Sequence, residues 1–326
     1  MLTGVDVVRR VQLADACRHL KWNGDRLILA CDDGALMVSE HPSGFLYQLS
    51  HLGSAPTTLS TGPDRVICGA LDGSLYVSPP ITLPARRQGR VTASACVGAH
   101  LVVAQGHEVH VITDPFREPV DLGVGAITAV DSVTGVMAVV AGCSGVAWYD
   151  VTSAVHDGRI ELPTIVSVAT DPLQRCVALG DLGGSVHVVQ AGTEEAVELT
   201  GYPDRVDLLD WLCSGTGLCV AADDELTLWR PDDSGLIHHD QPEQLVGHDA
   251  TITALAASPC DELVATADVS GVVQVWAPTW VDLPVGSLRV NGIVLALAWR
   301  PDGRALAVST SRGELALVEV VPTVAV

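Results

Sequence analysis

Lysine is almost missing from this chain: Lys21 is the only one, and 18 basic residues face 39 acidic ones, for a net charge of −21 over 326 residues. A surface of that sign repels a phosphate backbone unless a local basic patch outweighs it. No dense Arg/Lys run exists, so nucleic acid is disfavoured as the main ligand. Long apolar runs are missing too. Hydrophobic residues make up 48% of the chain, yet none of its stretches reaches the ~18 uninterrupted apolar residues of a membrane helix, and no membrane association is expected. The segment from Met1 to Asp6 shows no basic region leading into an apolar run, so the expectation is no secretion signal and a cytoplasmic location. The nine cysteines, Cys17, Cys31, Cys68, Cys96, Cys143, Cys176, Cys213, Cys219 and Cys260, are odd in number and never spaced as Cys-x-x-Cys. They are read as reduced thiols packed as small hydrophobes, not as disulfides or a metal cage.

Motifs that carry chemistry are also lacking. There is no Gly-x-Ser-x-Gly turn for a hydrolase nucleophile and no phosphate-binding P-loop; Gly215-Thr216-Gly217 has no following helix. His238-His239-Asp240 is the most metal-like cluster, but neighbours on an extended chain point to opposite sides and no second ligand pair lies nearby, so a solvated loop is the simpler reading. In His107-Glu108-Val109-His110 only Glu108 and His110 would share a strand face. Asp32-Asp33, Asp223-Asp224 and Asp232-Asp233 are explained by turn chemistry, since Asp caps its own turn. No cofactor is called for.

What the chain does have is a repeat. A short apolar strand, a Pro or Gly turn, a second apolar strand, an Asp/Ser/Gly turn and a third strand return along its whole length. The residue just after each Gly turn gives the register: Leu36, Leu75, Val109, Val146, Val186, Leu226, Val273 and Leu315, on average about 40 residues apart. Periods of roughly 40–45 residues with about four strands each are those of propeller blades. Runs of Val, Leu and Ala bounded by Gly, Pro and Asp read as strands buried on both faces, and one blade alone could not bury both of its faces. Stacking around an axis does so and leaves only short edges. The aromatic content of 4% agrees with close stacking by small and branched side chains. The expected fold is therefore all-β: a single closed β-propeller of eight four-stranded blades over residues 1–326, with seven blades as the alternative count. The segment from about Val5 to Leu13 is expected to supply the outer strand of the last blade and so close the ring.

One copy runs Gly247-His248, Ile252 to Ser258-Pro259, Leu263 to Ala267 and Ser270 to Trp276, and it resembles a WD repeat. The other copies are degenerate, with Trp229-Arg230, Tyr149-Asp150 and Val318-Glu319 at the terminal dipeptide, although Arg300-Pro301-Asp302-Gly303 matches the internal turn well. The resemblance implies that His248 is structural, tied to Trp276, and that the family's His-Ser-Asp-Trp network is confined to the seventh unit. There Ser270 is read as replacing its Asp.

The resemblance further implies a non-catalytic scaffold or adaptor that presents loop residues to one or more proteins. The turns between second and third strands, with the loops into first strands, would form one face holding Asp32, Asp33, Asp72, Asp181, Asp223, Asp224, Glu225, Asp249 and Asp268, relieved by Arg18, Arg90, Arg205 and Arg312. An acidic rim of this kind would steer a partner with a basic surface. The links 231–245 and 277–285 open onto the opposite face and offer a second patch, His238, His239 and Trp280, with Trp280 expected to anchor its loop. Two alternatives stay open: a propeller enzyme or small-molecule binder with a site at the mouth of the central channel, or a subunit that completes a partner enzyme's site.

Overall fold

The computed structural model describes residues 4–80, 89–112, 117–190, 193, 195–232, 237 and 241–321. His238 and His239 lie outside these residues. The described chain is built from strands alone, in eight antiparallel sheets; in seven of them the strands run in chain order from the axis outward, and in the eighth the first strand of the chain lies outermost. The innermost strands are Cys17–Asn23, Pro56–Gly62, Val91–Val97, Ile127–Ser132, Ile165–Thr170, Leu208–Trp211, Ile252–Ala257 and Val294–Trp299. Each lies beside the next, and the last returns to the first, so the eight sheets close into a ring. Seven sheets have four strands; the second has three among the described residues, Pro56–Gly62, Arg65–Ala70 and Leu75–Ser78. All eight register residues, Leu36 to Leu315, lie on third strands.

Alternation along each strand explains the core. In the second strand of the first blade, Leu27, Leu29 and Cys31 pack toward the eighth blade, while Ile28 and Ala30 pack toward the second. Side chains on a strand point alternately to its two faces, so a run apolar at every position feeds two interfaces. The buried residues accordingly fall into eight clusters, one between each pair of neighbouring blades. Turn chemistry matches the reading of the glycines: Gly34, Gly73 and Gly313 have φ of 95°, 83° and 74°, which a residue without Cβ adopts at no steric cost.

Hydroxyl groups stitch the inner strands together. Thr57, Thr128 and Thr253 donate to the carbonyls of Val91, Ile165 and Val294 in the next blade, at 2.6, 2.6 and 2.7 Å. The outer strand of the eighth blade is Gly4–Gln12, antiparallel to Glu314–Val321, and Ser309 donates to the carbonyl of Cys17 at 2.7 Å. The first and last described strands thus pair in one blade.

The cysteine reading needs correction. Cys17 and Cys31 stand opposite each other on neighbouring strands and are joined as a disulfide, because the strand register fixes a proximity that spacing in sequence does not reveal. Of the remaining seven, Cys143 and Cys260 are exposed and are not core thiols.

Candidate partner-binding face

The residues that look most like a reactive constellation are spent on structure. His248 precedes the innermost strand of the seventh blade and is buried; its Nδ1 lies 2.8 Å from Asp268 Oδ2 and its Nε2 2.7 Å from Thr266 Oγ1. The fully buried Trp276 donates its indole N–H to the same Thr266 hydroxyl at 2.7 Å. The network's carboxylate is therefore Asp268, and Ser270 replaces nothing: it donates to Asp268 Oδ1 at 2.7 Å. Threonine takes the serine place. Burial alone would raise the Asp268 pKa, but the hydrogen bonds from Ser270, His248 and the Val272 N–H outweigh it and hold the carboxyl below its usual range. Gly247 is required beside them, since a Cβ there would meet Trp276 and Gln274, both at 2.7 Å.

Two other blades carry variants of this arrangement. In the sixth, Tyr202 stands where the histidine would: its hydroxyl lies 2.8 Å from Thr227 Oγ1 and accepts the Trp229 indole N–H at 2.7 Å. Thr227 pairs with Val220 across the sheet as Gln274 pairs with Thr266, so the bridging hydroxyl has moved to the neighbouring strand. In the fifth, Asp181 occupies the Asp268 place and pairs at 2.9 Å with His187 of the third strand. Degenerate repeats hide these substitutions, because different residue types supply the same donors and acceptors.

The proposed rim divides accordingly. Asp181 and Asp268 are buried and fully engaged, so they are removed from the list of surface contacts. The other carboxylates lie at one end of the ring, where the turns after second strands bond to the loops entering first strands, as in the Asp32 N–H to Ala16 and Ile252 N–H to Asp223 contacts. Arg18 pairs with Asp32 at 2.9 Å, and Asp33 caps its own turn through the Ala35 N–H. Hydrogen bonds from Ser74 hold the exposed Asp72 carboxyl below its usual range. Asp224, Glu225, Asp249, Arg90 and Arg312 are exposed.

At the junction of the sixth and seventh blades the structure brings Arg205 and Asp223 together. They line a hollow of about 600 Å³ with Asp204, Asp207 and Thr251. Arg205 is held by Asp207 at 2.5 Å, and Thr251 donates to Asp223 at 2.9 Å. Three carboxylates against one guanidinium leave the hollow acidic, suited to a lysine or arginine side chain.

The central channel holds residues that the sequence reading passed over. A cavity of about 570 Å³ is lined by Lys21, Ser60, Ser94, Asp131, Thr170 and Asp210 among others. Burial pushes Asp131 upward and Asp210 up to about 6. Both carboxylates bridge blades: Asp131 accepts the Thr170 N–H at 3.1 Å and Asp210 the Ala257 N–H at 2.9 Å. The signal was an Asp inside an apolar inner strand, as in Leu208-Leu209-Asp210-Trp211. The lining contains no histidine, and among the described residues no group of three or more His, Cys, Asp or Glu could hold a metal ion.

On the opposite face, Trp280 is 69% exposed, so it does not anchor its loop. The loop is fixed instead by its backbone, with the Trp280 and Val281 N–H groups bonding to the Ala277 carbonyl, and by Arg230 on the Pro278 carbonyl at 3.0 Å.

The ring, its register and the Asp268–His248–Thr266–Trp276 network define the class: this is an eight-bladed WD-repeat β-propeller. The family described as WD domain, G-beta repeat, matches residues 240–277, the stretch that carries the network. Among curated proteins the chain is similar to periodic tryptophan protein 2 of Saccharomyces cerevisiae, with 27% identity over 109 residues, 33% of this chain and 11% of that protein. The chain thus spans about a ninth of that relative's length. Among solved structures it is similar to the computationally designed Ika8 protein, with a TM-score of 0.79 and 18% identity over 95% of this chain and 98% of that one. It is also similar to the C-terminal WD40 domain of Sif2, with a TM-score of 0.78 and 14% identity over 99% of this chain and all of the other. Among the described residues no helix is long and apolar enough to cross a membrane.

Proposed function

We propose that residues 1–326 act as one propeller domain, a non-catalytic cytoplasmic scaffold that binds proteins with basic surfaces through the acidic face. The observation that carries this reading is the hollow around Asp204, Arg205, Asp207 and Asp223, a net acidic recess with three carboxylates to one guanidinium. The WD-repeat class supports it, since such propellers generally serve as interaction platforms, and so does the internal use of His248, Asp268, His187 and Asp181. An acidic face accelerates encounter with a basic partner, an effect that weakens as salt rises.

The test begins with affinity purification from the native source and identification of the co-eluting proteins. Asp223→Lys with Asp224→Lys is then compared with Trp280→Ala for binding to them. The charge reversal is expected to weaken binding and flatten its salt dependence, with Trp280→Ala unchanged. Binding untouched by the reversal but lost in Trp280→Ala moves the interface to the opposite face. Failure of any protein to co-purify contradicts the scaffold reading.

A further inference from the structure

The residue after the register position of a third strand is polar in four blades: His110 in the third, His187 in the fifth, Thr227 in the sixth and Gln274 in the seventh. Three of them are hydrogen-bonded. His187 pairs with Asp181 at 2.9 Å, Thr227 donates to the Val220 carbonyl at 3.1 Å, and Gln274 donates to the Gly247 carbonyl at 2.7 Å. His110 stands opposite Val103 as His187 stands opposite Leu179, so the two histidines occupy equivalent places. The place of Asp181, at the end of the second strand, is taken in the third blade by Gln105, whose amide donates to the Gly89 carbonyl at 3.0 Å. His110 is 4% exposed, and neither its Nδ1 nor its Nε2 has a hydrogen-bond partner. A carboxylate oxygen of Glu108, on the same strand face, is 3.8 Å from Nε2, too far for a hydrogen bond. An imidazole always carries at least one N–H donor, and leaving it unmet in a buried place is costly.

This histidine lines a hollow of about 670 Å³, together with Arg90, Gln105, His107, Glu108 and Glu118 among others. Arg90 and Glu118 are exposed, whereas His110 is buried. In the fifth blade a carboxylate of the chain itself meets the equivalent histidine; in the third that carboxylate is replaced by an amide turned elsewhere, and a guanidinium shares the hollow. A ligand carboxylate would supply what Asp181 supplies, held by an imidazole N–H and by Arg90. A simple anion would also face Glu108 and Glu118, which repel it. An ammonium group beside the carboxylate turns that repulsion into attraction. We infer that the hollow of the third blade binds a free α-amino acid, its carboxylate on His110 and Arg90 and its ammonium on Glu108 and Glu118. Within a peptide chain both groups are consumed in amide bonds, so the ligand is the free small molecule. This site goes beyond the scaffold reading and does not depend on it.

The probes are the free L-amino acids, added singly to the full chain, with acetate, methylamine and the N-acetyl amide of each amino acid that binds as controls. Calorimetry measures the affinity, and nitrogen NMR of the histidine rings, assigned with His110→Gln, reports on His110 itself. At least one amino acid is expected to shift the His110 ring nitrogens and to bind at least about tenfold more tightly than acetate, methylamine or its own N-acetyl amide. His110→Gln, which installs the side chain found at the equivalent place in the seventh blade, should weaken that binding at least about tenfold. Arg90→Ala alters an exposed residue, so it should do the same with the melting temperature unchanged. Absence of binding by every amino acid overturns the inference, as does binding no tighter than that of acetate, methylamine or the N-acetyl amide. Affinity that survives both substitutions overturns it too, and so do His110 ring nitrogens that stay unmoved, which would mean that water satisfies the histidine. None of these outcomes bears on whether proteins co-purify with the chain, so the scaffold reading stands or falls separately.

Discussion

Trp22 donates its indole N–H to the carbonyl of Ala298 at 3.0 Å, joining the first blade to the eighth across 276 positions of chain. The same bond recurs from Trp211 to Ala169 at 3.2 Å and from Trp299 to Ala256 at 2.9 Å, always to the preceding blade. Where the ring closes, this bond works together with the pairing of Gly4–Gln12 to Glu314–Val321. Trp22→Phe, which keeps the ring but loses the donor, should cost about 1 kcal/mol in urea denaturation, and Trp22→Ala about 3–5 kcal/mol. Removing residues 1–12 should lower the melting temperature further than either. An unchanged melting curve after that deletion would show that the outer strand contributes nothing to closure.

Thr266 serves two donors or acceptors with one hydroxyl, so Thr266→Val should strand both His248 Nε2 and the Trp276 indole, at a cost of roughly 2–4 kcal/mol. The Asp268 carboxyl is held below its usual range in the fold, so its contribution is fully present above about pH 4 and is lost as pH falls through the folded value. Asp268→Asn should therefore be less stable than the wild type at pH 7, and the gap should narrow in acid. Calorimetry from pH 7 to pH 3 checks both the magnitude and the sign.

Asp210 titrates in the opposite sense. Burial raises its folded pKa to about 6 against about 4 when unfolded, so its favourable contribution is present below about pH 4 and is lost as pH rises through 6. The melting temperature of Asp210→Asn relative to the wild type should accordingly increase between pH 5 and pH 7, whatever fixed cost the lost bond to the Ala257 N–H adds. A constant difference, or one moving the other way, would mean that Asp210 ionises as an ordinary carboxylate.

Thiol reactivity should separate the cysteines. Cys143 is exposed, whereas burial pushes the buried Cys68 and Cys176 thiols up to about 12. A disulfide reagent at pH 8 should therefore label Cys143 in the native protein and leave Cys68 and Cys176 untouched until unfolding. Mass spectrometry without reduction should recover Cys17 and Cys31 in one linked peptide.

The strands, their order and the blade count were legible in the sequence because each blade repeats one local pattern, and strand burial on both faces writes that pattern as uninterrupted Val, Leu and Ala. Leu36 through Leu315 mark third strands because a tight turn must end in a residue such as Gly34 or Gly313, a constraint that acts over a few positions. Tertiary structure alone decided which groups meet across blades. The partner of Trp22 is Ala298, Asp210 reaches Ala257, and Cys17 faces Cys31; none of these is fixed by local propensity. The inward turn of Asp181 and Asp268 was likewise hidden, because a turn-capping Asp and a buried network Asp are the same residue type in the same short motif. Only the arrival of His187 from a third strand, and of His248 from the loop before a first strand, determines which one each becomes.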